Sequence, residues 1–286
     1  MADIFMRFPG GKAKALTLSY DDGVEQDQKL IKIMDRYGLK GTFNLNSGLY
    51  AAEGTVYPAG TIHRRMTKEQ VTKLYGQSGH EVAVHGLTHP WLEKLPPHMA
   101  ARDLIADREN LENQFHTIVR GMAYPFGTFN DAVVNCVKTA GLVYARTVIS
   151  SHSFGIPADW LRLEATCHHK APELMALAER FTEEDGHREP WLFYLWGHSY
   201  EFEADDNWDV IERFGACTGR RDNIWYATNI AVYDYVKAFE RLEFSADGKR
   251  VFNPSAQTVW FRKDGMDYRI DPGMGKELEC REFMKS

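Results

Sequence analysis

Two carboxylates stand side by side at Asp21-Asp22, where the apolar run Leu16-Thr-Leu-Ser-Tyr20 ends. Two imidazoles stand four residues apart in His85-Gly-Leu-Thr-His89, directly after the run 81–84. Tyr124-Pro-Phe-Gly127 follows a third short run, and His198 closes a fourth, the strongly apolar stretch 191–196. Two imidazoles and one carboxylate make a three-ligand site for a divalent ion, with positions left open for water and substrate. A further carboxylate and a further histidine are the residue types that move protons. Taken singly, each set has an ordinary alternative: Asp-Asp-Gly is a common strand exit, His85 and His89 are two of eleven histidines, Tyr-Pro-Phe-Gly is a turn, and His198 could bond a loop carbonyl. Together, all four sets fall where an apolar strand ends.

The elements that would position them alternate along the chain. Strands are expected at residues 15–19, 41–45, 81–84, 121–124, 143–148, 161–165 and 191–196. Helices are expected at 25–37, 67–77, 97–115, 131–140, 172–181 and 230–239. Thr67-Lys-Glu-Gln70 has the spacing of a capping box, and Gly38 and Gly141 stand where helices end, since glycine takes the left-handed turn without strain. Alternating strands and helices imply parallel strands with crossover helices, in an open sheet or a barrel. In such a barrel, the residues that do chemistry come from the C-terminal ends of the strands, where the four sets lie. After Arg241 the pattern changes to strand-turn-strand, with hairpin signals at Asp247-Gly248 and Asp264-Gly265. The expectation is a single domain over 1–286: a barrel from about 12 to 240 and a small β-hairpin appendage from about 241 to 286.

Composition narrows the class. With 286 residues, 44% of them hydrophobic, seven Trp and sixteen Phe, the chain can bury a sizeable core and is not disordered. A net charge of −6 argues against nucleic acid as a partner. Cys136, Cys167, Cys217 and Cys280 are widely spaced with no C-x-x-C, which reads as reduced thiols. No apolar segment follows a basic start, and no run of about 18 apolar residues exists. The expectation is a cytoplasmic protein with no membrane partner.

The motifs resemble those of the polysaccharide deacetylase family, carbohydrate esterase family 4, across roughly residues 12 to 200 and in the family's order. Asp21-Asp22 resembles its first motif, in which the first Asp is the base and the second a metal ligand. His85-Gly-Leu-Thr-His89 resembles the second, with Gly86 where a hydroxyl residue is usual. Tyr124-Pro-Phe-Gly127 resembles the end of the third, Asp159-Trp160 the fourth, and Leu195-Trp-Gly-His198 the fifth. The third motif's Arg, which pairs with the base, falls on Ala123, and Arg146 or Arg162 are the residues that could replace it.

The resemblance implies an α/β fold, a distorted (β/α)7 barrel, and one divalent ion, zinc or another transition metal, on Asp22, His85 and His89. It implies Asp21 as base, the Phe126 backbone N–H as oxyanion donor, and His198 as the acid that protonates the leaving amine. A carboxylate such as Asp159 would keep His198 charged, and Trp160, beside it in the fourth motif, is a further supporting candidate. Tyr124, Trp196 and Tyr200 are candidates to contact sugar rings, and the acidic stretch 199–208 reads as a loop. His168-His169 looks like a metal pair, but neighbouring side chains on a strand diverge. The implied activity is removal of N-acetyl groups from the amino sugars of a poly- or oligosaccharide. Two alternatives remain: a hydrolase of a small amide or imide on the same fold, and a catalytically silent glycan-binding protein.

Overall fold

The stretch Lys14-Ala-Leu-Thr-Leu-Ser-Tyr-Asp21 lacks the polar alternation of a strand with one wet face. In the computed structural model of the chain, which describes residues 3–185 and 188–279, all eight residues of the Lys14–Asp21 strand are buried. A strand covered on both faces belongs inside a parallel sheet wrapped by helices. Trp191–Gly197 runs parallel to it along its length, from Lys14 opposite Trp191 to Tyr20 opposite Gly197. On the other edge, the upper half pairs with Gly41–Leu45, and the lower half with the short strand Ile224–Tyr226.

From Gly41–Leu45 the parallel order continues through Glu81–Val84, Gly121–Ala123, Tyr144–Ser150 and Leu163–Ala165. The ring closes through one extended segment. Leu163–Ala165 pairs with Tyr144–Ser150, whereas Cys167–His168, one residue further on, pairs with Trp191–Gly197. Between them, Thr166 donates its N–H to the Tyr194 carbonyl at 2.8 Å. The sheet is thus a distorted (β/α)7 barrel, as expected. Its strands share one core with the apolar faces of the surrounding helices, including Leu30, Met34, Val71, Leu104, Val137, Phe181 and Phe214.

Local signals act as read. Thr67 caps the Lys68–Gly76 helix, with its N–H donating to Gln70 Oε1 at 2.8 Å. Gly38 ends the Asp27–Tyr37 helix at a φ of 67°, where a side chain would be strained. The acidic stretch after His198 differs from expectation. Its first part forms the helix Ser199–Ala204, and the helix Asp209–Thr218 follows it, because Glu201 reaches back to accept the His198 N–H at 3.2 Å and Phe202 and Phe214 are buried.

The C-terminal β region is more than one hairpin. Val259–Lys263 and Met266–Ile270 form a three-stranded sheet with Ile4–Arg7 from the start of the chain. Glu243–Phe244, Arg250–Phe252 and Gly275–Glu277 form another. Cys136, Cys167 and Cys217 are free thiols, and Cys280 lies outside the described residues. Among the described residues, no helix is long and apolar enough to cross a membrane.

Candidate active site

The Lys14–Asp21 strand delivers Asp21 and Asp22 at its C-terminal end, and the chain turns there through two left-handed residues, Asp22 (φ 82°) and Gly23 (φ 66°). A non-glycine residue in this conformation is costly and tends to persist where function needs it. Glu81–Val84 delivers His85, and a tight turn brings back His89. Gly86 in that turn has a φ of +75°, and a Cβ there would lie 3.1 to 3.2 Å from Pro90, Asp103 and Pro125. A side chain there would be strained by the conformation and crowded by these neighbours. Asp22, His85 and His89 each present a ligand atom, and these atoms all lie within 4.8 Å of one another.

Both imidazoles are kept neutral. Burial lowers the pKa of His85, and burial followed by the neighbouring His85 lowers that of His89 to about 4. His85 Nδ1 lies 2.8 Å from the Ala123 carbonyl, so that nitrogen carries the proton and Nε2 offers its lone pair. Asp107, fully buried, accepts the backbone N–H of His85 at 3.1 Å and anchors the turn. Burial alone would raise the pKa of Asp22, but His63, His85 and Arg65 together hold it far below the usual carboxylate range. His63 Nε2 lies 3.1 Å from one Asp22 oxygen and Arg65 Nη2 3.0 Å from the other.

Asp21 is 2% exposed. It accepts from Asn44 Nδ2 at 2.8 Å on Oδ1 and from Arg146 Nη2 on Oδ2. Burial would favour its neutral form, but Arg146, His85 and His198 outweigh it and lower its pKa. Arg146 is the register partner of Ala123 on the next strand, and register partners project to the same face. The guanidinium that Ala123 lacks is therefore supplied from one strand away. It lies 4.3 Å above the Trp196 ring, a cation–π contact that fixes its plane.

His198 Nε2 stands 3.7 Å from Asp21 Oδ2, and its Nδ1 stands 3.3 Å from Glu201 Oε2. Burial would lower its pKa, yet the carboxylates of Glu201, Asp21 and Asp22 raise it above the ordinary 6.5. Phe126 has a φ of 57° and an exposed ring. That ring stacks on Trp91 at 3.9 Å and meets the His89 edge at 4.4 Å.

Other candidates lie apart from this cluster. Asp159, expected beside His198, instead accepts from Arg162 Nη1 at 2.6 Å and caps the Leu161 N–H. Arg162 also reaches Asp131 at 2.6 Å, so it does not meet Asp21. Trp160 is buried edge-on to Tyr233. Tyr124 is 1% exposed, with its hydroxyl on the Leu161 carbonyl, and Trp196 is 8% exposed. Both brace the walls rather than line an open face. Tyr200 is half-buried and meets His63 and His198 at 4.9 and 5.2 Å between ring centres. His168 and His169 do not diverge: the strand ends at His168, His169 sits in a turn, and each Nε2 lies 3.2 Å from Glu201 Oε2.

Sequence reasoning missed Asn44, Asp107, His63, Arg65 and Glu201. Asn44 was signalled as the one amide in the strand Gly41–Leu45, and Glu201 by its three-residue spacing from His198.

The resemblance read from the motifs is borne out by comparison. Residues 9–145 match the polysaccharide deacetylase family. Among solved structures, the chain is similar to a Mycobacterium smegmatis protein assigned to the polysaccharide deacetylases: 16% identity, TM-score 0.56, 84% of this chain and 96% of that one covered. A family 4 carbohydrate esterase from Streptomyces lividans, in complex with acetate, is 14% identical with a TM-score of 0.51, covering 76% and 93%. The peptidoglycan deacetylase PdaC from Bacillus subtilis is 16% identical with a TM-score of 0.50, covering 80% and 94%.

Proposed function

We propose that the chain is a metal-dependent hydrolase that removes N-acetyl groups from the amino sugars of a poly- or oligosaccharide. The observation that carries this reading is the convergence of Asp22, His85 and His89 within 4.8 Å. The donor set fits a zinc-type ion: one carboxylate and two neutral imidazoles, one of them fixed through Nδ1 by a carbonyl. Bound there, such an ion supplies Lewis acidity, polarising the amide carbonyl and lowering the pKa of a ligated water.

The chain's own residues then divide the proton work. Asp21, held ionised by Arg146, takes a proton from the attacking water. The carbonyl oxygen gains negative charge as the carbon becomes tetrahedral, and the Phe126 backbone N–H donates to it. His198, kept protonated by Glu201, gives its proton to the amine nitrogen as the C–N bond breaks. Glu201 thus does what the motif comparison gave to Asp159. At the rim, Tyr200 and the Trp91–Phe126 pair offer aromatic surface to a sugar ring.

A second reading keeps the fold and the chemistry but shortens the substrate to a small amide or imide. It is favoured by His63, which meets Asp22 at 3.1 Å and the Tyr200 ring at 4.9 Å between centres, placing two rings beside that carboxylate. One experiment tests both: acetate release from N-acetylglucosamine oligomers by the metal-loaded protein, with and without chelator, beside hydrolysis of small cyclic amides. Chelator-sensitive acetate release supports the deacetylase. Turnover of the small amides alone supports the second reading, and no turnover of either, with glycan binding retained, would make the protein a silent sugar binder.

A further inference from the structure

On the far side of His198 from Asp21, three imidazoles converge on a single carboxylate oxygen. Glu201 Oε2 lies 3.2 Å from His168 Nε2, 3.2 Å from His169 Nε2 and 3.3 Å from His198 Nδ1. The same oxygen accepts the backbone N–H of His198 at 3.2 Å. A carboxylate oxygen has two lone pairs, so four nitrogens exceed what it can accept. The distances are also long for charge-assisted hydrogen bonds, which close to about 2.7–2.9 Å. Distances of this length from the carboxylate oxygen also fit two ligands of one zinc-type ion, which stand about 3.3 Å apart when each bond is about 2.0–2.1 Å.

A second observation points the same way. The His169 side chain is 1% exposed, wedged against Phe202 at 4.1 Å between ring centres. Neither of its ring nitrogens makes a well-directed hydrogen bond, although Nε2 stands 3.2 Å from Glu201 Oε2. A buried imidazole with an idle nitrogen aimed at the cluster is a lone pair waiting for a Lewis acid.

We propose that His168, His198 and Glu201, with His169 beside them, form a second binding site for a divalent transition metal, distinct from Asp22, His85 and His89. Ligand atoms of the first three all lie within 4.8 Å of one another, and His168, His198 and Glu201 are each about one-fifth exposed, so an ion can enter. Imidazole-rich sets of this kind suit zinc, copper or nickel rather than magnesium or calcium. One contact opposes the site. The Lys170 N–H donates to His168 Nδ1 at 3.1 Å, and ligation through Nε2 moves the ring proton to Nδ1 and gives up that bond. A single neutral hydrogen bond contributes little beside a metal–imidazole bond.

The consequence for catalysis rests on the function proposed above; the existence of the site does not. An ion on His198 Nδ1 replaces the proton that makes His198 an imidazolium, and a ligated neutral imidazole is a far weaker acid. The second ion therefore inhibits while the first activates, and excess metal is self-limiting.

Equilibrium dialysis against zinc and cobalt, read as bound metal per chain, tests this with the full-length protein. The expected result is two equivalents for the wild type. Each of His168→Ala and Glu201→Gln should weaken the second by at least about 10-fold, the size seen when even outer partners of a metal site are removed. Asp22→Ala should lose only the first, and circular dichroism of each variant separates lost ligands from lost fold. With acetate release as a further readout, excess zinc should inhibit the wild type but not His168→Ala. One equivalent in the wild type, lost in Asp22→Ala and untouched by His168→Ala, overturns the second site and leaves the first standing. Two equivalents that both survive His168→Ala and Glu201→Gln also overturn it. One equivalent lost only in His168→Ala supports this site and sinks the proposed function instead.

Discussion

Residues 9–145, the span that matches the family, hold Asp21, Asp22, His85 and His89, whereas residues 146–201 supply Arg146, His198 and Glu201. In the first region each motif is short and lies at one strand end, so spacing along the chain is enough to bring the groups together. In the second, the cation beside Asp21 comes from Arg146, and the carboxylate beside His198 comes from Glu201. Coulombic attraction depends on separation and burial, not on which strand supplies the charge. A barrel lets neighbouring strands trade that duty, because register partners face the same way.

The hardest test of the first region is Asp21→Asn. It should retain metal, because Asp22, His85 and His89 are untouched, but lose acetate release by about 10²–10⁴-fold, the usual worth of a positioned general base. His85→Ala should lose both. Elemental analysis and acetate assays on the same samples separate the two, and normal turnover by Asp21→Asn would remove it as the base.

The trade itself is tested by Arg146→Ala. The Arg146–Asp21 pair is almost completely buried, and removing one partner of such a pair typically costs about 3–5 kcal/mol. Urea unfolding should show the loss. The pH profile should move as well. Asp21 is now held below its ordinary 3.8, and it serves as a base only when ionised. Without Arg146, burial pushes its pKa up, so the acidic limb of kcat/KM should shift to higher pH. Restoring a guanidinium in Ala123→Arg/Arg146→Ala should move the limb back. If the double variant behaves as the single one, the two positions are not interchangeable.

Glu201→Gln should be milder. His198 must be protonated to act as an acid, and its pKa is raised above 6.5, so activity falls as pH rises through that raised value. Loss of the Glu201 charge leaves only Asp21 and Asp22 to oppose burial, so the basic limb should move to lower pH with a rate loss of about tenfold at neutral pH. An unchanged basic limb would mean that Glu201 only caps its helix.

What the sequence made legible follows the same division. The barrel was readable because alternating strand and helix patterns are local, and the triad because two motifs each sit at a strand end. Arg146 was readable as a candidate, since its strand follows the motif that lacks the arginine. His63 and Arg65 were not. They belong to a long stretch after Leu45 with no periodicity, and only tertiary structure folds it back over Asp22. Glu201 was hidden by its own neighbourhood: an acidic run reads as solvated surface unless its three-residue offset from His198 is taken as a helix start.

The smallest effect is expected at Asp159→Asn, where the motif comparison and the geometry disagree most. Asp159 pairs with Arg162 near the surface, and Arg162 shares itself with the exposed Asp131. Exposed pairs of this kind contribute little to stability, because water screens them and holding the side chains costs entropy. The variant should therefore melt and turn over as the wild type does, with both limbs of its pH profile in place. If its basic limb moved as in Glu201→Gln, then Asp159 reaches His198 during turnover. The charge on His198 would then come from both carboxylates, and the second region would be less rewired than its resting geometry makes it.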